Sequence, residues 1–254
     1  YHLLHLLYPI LSLQYSGLPY FATRLFNNNR TGVFPLAGFT LSWYEEIFEN
    51  KVIWPALKNS LIVALATALV SALVGTPAAF GLVRYRFRFK GLLRLIVTFP
   101  VSLPTLLVGI SLLSFLVFFS IPRSLMTVVI GHVVYCVPFM VLSLTAQLAE
   151  FDFTVEEAAK DLGATPFQTF RMITFPMIRP TILGAMLLIF ALSFDMFVIT
   201  FFNIGNGSTL PMVVWSMMRY GINPSLNAIG VLIMAFSVML LLLAHRFGGV
   251  KFGA

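Results

Sequence analysis

The 254-residue chain is 59% hydrophobic and only 10% charged, with a mean hydropathy of +0.94. Soluble domains carry roughly 25% charge, so a water-facing exterior is excluded and lipid is the natural solvent. The net charge of +7 reads as Lys and Arg kept on the cytoplasmic side of a membrane rather than as a nucleic-acid footprint, and the single cysteine, Cys136, excludes an internal disulfide and a cysteine-cluster metal site.

A helix needs about 20 apolar residues to cross a bilayer, and on that rule the sequence predicts an all-α membrane protein of six spans forming one transmembrane domain over 1–254. The chain opens at Tyr1 without Met or a basic leader, so no cleavable signal is expected. The first span covers residues 1–25, interrupted by Pro9 and Gly17 and ended by Asn27-Asn28-Asn29-Arg30. Residues 31–56 read as an extracytoplasmic segment with an interfacial helix over 43–49, because Trp43, Tyr44 and Trp54 suit that depth. The second span is 57–83. The third is 92–119, with Pro100, Pro104 and Gly109 as breakers that neighbouring helices can satisfy. The fourth is 125–148, the fifth 180–202 and the sixth 223–245.

Orientation follows from Arg84, Arg86, Arg88, Lys90 and Arg94, which crowd one connection and mark it as cytoplasmic. Lipid headgroups are their natural partners. Counting spans then puts both termini and the loop over 149–179 on that same side, and His245, Arg246 and Lys251 agree.

That loop is the one long amphiphilic cytoplasmic stretch. Thr154 with Glu157 reads as a capping box. Thr165 with Gln168 reads as a second, with Pro166 at the first helical position, where its missing N–H costs nothing. Gly163 between them suits a left-handed helix end. The expected form is a short helix, a tight turn through Gly163 and Ala164, and a second short helix ending near Pro176. Ala158 and Ala159 let another surface come close, and Phe167 and Phe170 supply apolar anchors. Such a knob suits docking into a groove on a partner.

The segment Glu157-Ala158-Ala159, Gly163, Ile173 and Pro176 resembles the EAA loop of permeases from binding-protein-dependent ABC importers, with Phe175 where the pattern has Leu. The resemblance implies a type I importer permease fold and a loop that seats in a cleft on a cytoplasmic ATPase. It also implies two ATPase subunits, a second permease subunit and an extracytoplasmic solute-binding protein. This chain carries no Walker-type phosphate loop, so ATP and Mg belong to the partner ATPases and no cofactor is expected here. Further segments resemble spermidine/putrescine-type permeases: residues 193–202, Thr209-Leu210-Pro211-Met212, Ser216-Met217, and Gly221-Ile222-Asn223-Pro224. Many of those permeases have two adjacent acids where this chain has Asp195-Met196, which leaves room for other small organic solutes and favours a non-identical second permease.

Asp195 is the only acid inside a predicted span. A charge at mid-bilayer costs about 2.5–3.5 kcal/mol, so it faces protein or a water-filled cavity. It reads either as a pathway residue or as a structural acid, and Phe197, Phe201 and Trp215 could add cation–π faces for an amine. His132 reads as a helix–helix hydrogen bond, Cys136 as a small core residue, and Met212, Met217 and Met218 as packing. The competing class, an ATP-independent channel or secondary transporter, needs no docking knob. An intramembrane enzyme is weaker still, because the spans offer no nucleophile–base pair and no catalytic residue.

Overall fold

The structure, a computed structural model, describes residues 40, 42–219, 225–226 and 228–233. The expected first span lies outside the described residues, as does most of the sixth. Every regular element among the described residues is helical, as the composition requires: in hydrocarbon a helix satisfies its own backbone.

The chain divides into two compact units, residues 1–54 with 213–238, and residues 55–212 with 239–254. In the first, α1 (Ser42–Glu49) forms where a helix over 43–49 is expected. Thr40 Oγ1 accepts from Ser42 N (3.1 Å) at its start. Trp43 and Ile47 are buried, and Trp54 donates to the Phe48 carbonyl (2.9 Å) while packing on its ring.

The second unit holds the long helices. α2 (Ile53–Arg84) and α5 (Leu125–Ala149) are apolar on all sides and long enough to span, as predicted. α3 (Lys90–Ser102) and α4 (Thr105–Phe118) correct the single third span: they are bent by 108°. The cause is local. Pro104 pushes Leu103 out of the helical region, to ψ 140, because its ring clashes with a helical predecessor. α4 ends with Ser120 at φ 54, where Ser120 N bonds to Val117 O and Ile121 N to Leu116 O. This is a Schellman end with serine in the place usually given to glycine.

The fifth span is also corrected. The second loop helix does not stop at Pro176. α6 (Thr154–Asp161) and α7 (Pro166–Thr169) are separate, but α7 runs through a π-helical turn (Phe170–Thr174) into α8 (Phe175–Phe194). The apolar helix is therefore Pro166–Phe194. It breaks at Asp195 and Met196 and resumes as α9 (Phe197–Asn203), followed by α10 (Leu210–Arg219).

α8 packs on α5, and α9 packs on α4 and α5. Ala68, Ala79 and Leu82 of α2 meet Cys136, Met140, Leu144 and Leu148 of α5, and Ile178, Ala185 and Ile189 of α8. Gly75 of α2 makes room for Met140 of α5, where an added Cβ would lie 2.7 Å from Cγ; small residues serve such packing where lipid is as apolar as the side chains.

Candidate functional site

Gly163 has φ +86, and the Thr165–Gln168 capping box forms: Gln168 N donates to Thr165 Oγ1 (3.3 Å) and Thr165 N to Gln168 Oε1 (2.8 Å). The Thr154–Glu157 box does not form. Phe153 occupies the N-cap without a side-chain bond. Asp152 instead accepts from Thr154 Oγ1 (2.7 Å) and Thr154 N (3.0 Å). These two bonds, the hydroxyl's first, hold the Asp152 carboxyl below its usual range.

Between the two helices the knob is open to its surroundings. Glu157, Ala158, Gly163 and Pro176 are exposed, while Ala159, Ala164 and Ile173 are half-buried. Leu162 and Phe167 are 88% and 70% exposed, apolar surface on the loop that is open to a partner. Phe170 turns the other way, onto Phe80 of α2 (ring centroids 6.0 Å) and Phe175 (6.1 Å).

Beside the motif sits Glu156, a residue the sequence reading missed. It is 4% exposed. It forms an ion pair with Arg84 at the end of α2 and accepts from Thr174 Oγ1 (2.5 Å). The Arg84 guanidinium lies over Phe80 (5.3 Å) and Phe153 (5.1 Å). The available signal was the spacing of Phe153, Glu156 and Ala159, three apart and therefore on one helix face.

The second constellation surrounds the break. Asp195 is the exposed C-cap of α8, and Met196 is extended (ψ 96). His132 of α5 bridges the two halves: Nδ1 meets Ser193 Oγ (2.7 Å) and Nε2 meets Thr200 Oγ1 (2.9 Å). Thr200 spends its single proton on the Met196 carbonyl (2.7 Å), so it accepts from Nε2–H, and Nδ1 of the neutral ring accepts from Ser193. The expected helix–helix role of His132 is realised, but across a break that was not expected. Asn203 closes α9 by donating to Gly109 O (3.2 Å) and Ile199 O (2.8 Å). Cys136 is buried, as expected.

Phe197 and Phe201 pack against each other beyond the break, their rings tilted by 39° with centroids 5.5 Å apart. Trp215 belongs to the other compact unit, where Arg219 lies over its ring (5.6 Å). Among the described residues, no group of His, Cys, Asp and Glu could hold a metal ion.

The fold is that of type I ABC importer permeases. The whole chain superposes on one from a bacterial ABC transporter involved in the import of the acidic polysaccharide alginate (TM-score 0.72, 14% identity, covering 98% of this chain and 97% of that one). It also superposes on a chain of the MetNI methionine ABC transporter in inward-facing conformation (TM-score 0.67, 18% identity, 78% and 94% covered).

Residues 71–248 match the family described as binding-protein-dependent transport system inner membrane component, and the chain belongs to it. It is 39% identical over 206 residues to the putrescine transport system permease protein PotI of Escherichia coli (strain K12), covering 78% of this chain and 73% of that protein. It is 32% identical over 218 residues to the spermidine/putrescine transport system permease protein PotC of the same strain, covering 85% and 82%. The chain is thus the permease subunit of an ABC importer, a multi-pass inner-membrane component that translocates solute and is not itself an enzyme.

Proposed function

We propose that this permease imports a polyamine and couples to its ATPase through the knob over 154–176. The exposed pair Leu162 and Phe167, next to Glu157, Ala158, Ala159 and Gly163, is the observation that carries the coupling. A partner's cleft would cover them, with exposed Pro176 beside the seat and Phe170 and Ile173 backing it from the bundle side. ATP and Mg sit on two ATPase subunits, and this chain binds no cofactor. A solute-binding protein delivers the solute from outside. A second, non-identical permease completes the path, because one chain offers one knob and one acid at the break. The chain is one permease domain over 1–254, with residues 31–56 outside and residues 149–179 and both termini in the cytoplasm.

The polyamine assignment rests on similarity to PotI and PotC, and Asp195 gives it chemistry. A helix C-terminus carries partial negative charge, so α8 and the Asp195 carboxylate together favour an ammonium group, with Phe197 and Phe201 as neighbouring π faces. The test is uptake of radiolabelled putrescine by proteoliposomes holding the whole complex, binding protein and ATP. Asp195→Asn should cut uptake severalfold while the subunits still assemble. Unchanged putrescine uptake by that variant makes Asp195 structural, and an inert wild-type complex removes the polyamine reading.

A further inference from the structure

An eight-residue helix such as α6 is too short to hold itself in place. Something must fix it, and what fixes it decides which parts of the molecule follow when it moves. One connection is covalent: α7 passes through the π turn into α8 without a break. The other is Glu156. Its carboxylate points away from the exposed motif face and into the junction of three elements. It takes Arg84 from the last residue of α2 and Thr174 from the last residue of the π turn. The aromatic rings of Phe80 and Phe153 flank the guanidinium, and Phe170 joins Phe80 to the π turn. Thr174 is 1% exposed, so the junction is closed on that side.

An ion pair out of water is a poor device for stability alone, since apolar residues of the same shape often serve as well or better. It is strong in another respect: the Glu156 side chain is 5% exposed and that of Arg84 31%, so parting them leaves a buried carboxylate without its cation, at high cost. We propose that Arg84, Glu156 and Thr174 form a strut that makes the second span follow the docking loop. A displacement of α6 then reaches α2 through Glu156 and Arg84, in parallel with the covalent path through the Gly163 turn and α7 into α8. Glu156 is a positioning residue, because it acts through Arg84 and Thr174. The π turn contributes by bringing the Thr174 hydroxyl to the carboxylate; wide turns of this kind often mark functional sites.

The inference rests on the reading that the knob docks on the ATPase, and the experiment separates the two. The complex is reconstituted with binding protein in proteoliposomes. Co-purification of the ATPase, ATP hydrolysis and putrescine uptake are measured for wild type and Glu156→Gln. The ATPase should remain bound and continue to hydrolyse ATP, while putrescine imported per ATP falls about fivefold or more, the lower end of typical coupling between sites. Arg84→Lys, which keeps the charge and loses the planar fork, should fall in between. A thiol-to-thiol cross-link in Arg84→Cys/Glu156→Cys should restore uptake per ATP, since any firm tie replaces a strut. Cys136 is buried and does not compete.

Unchanged uptake per ATP in Glu156→Gln with the ATPase bound overturns the strut alone. Loss of the ATPase from that variant, not recovered by the cross-link, assigns Glu156 to the shape of the docking surface and overturns it too. An ATPase that stays bound to Leu162→Glu/Phe167→Glu removes the docking reading and the strut with it.

Discussion

Replacing His132 tests the break in the fifth span most directly. The ring makes two buried hydrogen bonds, to Ser193 at the end of α8 and Thr200 in the first turn of α9. His132→Leu keeps most of the volume and removes both. Inter-helix hydrogen bonds in membranes average about 0.6 kcal/mol, with a ceiling near 1.7; two of them therefore place the loss at about 1.2 kcal/mol, and below about 3.4 kcal/mol. The larger penalty for stranded polar groups does not apply. Thr200 keeps its bond to the Met196 carbonyl, and a serine hydroxyl in a helix can turn to the carbonyl four residues back. The tautomer adds a finer expectation. Gln can donate to Thr200 where Nε2–H did, so His132→Gln should recover about half of the loss. Unfolding in mixed micelles, followed for the three proteins side by side, gives the order wild type, Gln, Leu. A Leu variant as stable as wild type, or a Gln variant no better than Leu, would refute the directed chain from Ser193 to Met196.

Three backbone positions give further expectations. At Gly163 (φ +86) an added Cβ meets nothing within 4 Å, so the cost is conformational alone, about 1–2 kcal/mol for Ala. Gly163→Val adds β-branching, and transport should fall while membrane insertion persists; unchanged ATP-driven uptake contradicts the turn. At Gly205 (φ +70) the Cβ would lie 2.5 Å from the Arg123 carbonyl, which cannot rotate away. Gly205→Ala should therefore cost more, about 2–5 kcal/mol, read as lost yield of folded protein in detergent. Ser120 already has φ 54, so Ser120→Gly should raise the unfolding midpoint, by about 1 kcal/mol equivalent; a lower midpoint contradicts the Schellman end.

The sequence made legible whatever was decided within a few residues. Residues 57–83 and 125–148 were read as spans and are α2 and α5. Gly163 and the Thr165–Gln168 cap were both readable because each depends on one turn. The failures came from competition. Thr154 was a sound N-cap by type, but Asp152 takes its hydroxyl and its N–H, leaving Phe153 at the cap. Pro176 looked like a stop. The π turn before it widens the hydrogen bonding, Phe175 N reaching Phe170 O, and Pro176 then falls in the first turn of α8, where no N–H is needed. Pro104 carried the signal for the 108° bend, which a reading of breakers as tolerated kinks passed over. The break at Asp195 has neither Gly nor Pro to announce it. It is stabilised by His132, 61 and 68 residues away in sequence from its partners, and no local pattern records that distance.

The two interruptions define what α8 is. Its 20 residues make a rod of about 30 Å at 1.5 Å per residue, the thickness of the hydrocarbon core. Between its ends the contacts are apolar, Ile178, Ala185 and Ile189 against Cys136, Met140 and Leu144, apart from one part-buried hydrogen bond that Thr181 Oγ1 donates to Gln147 Oε1 (3.2 Å). The apolar contacts are non-directional and do not by themselves fix how far a helix slides along its axis. Directional groups lie just outside or just inside the ends, Thr174 on Glu156 and Arg84 at one, Ser193 on His132 at the other. Glu156 and His132 are themselves buried, 4% and 1% exposed, and lose partners if the rod slides, so each cluster holds the rod at one axial position and resists small departures from it. In the proposed reading, a pull on the docking loop therefore meets a stiff rod with a firm joint at each end, and Asp195 sits two residues past Ser193 of the far joint.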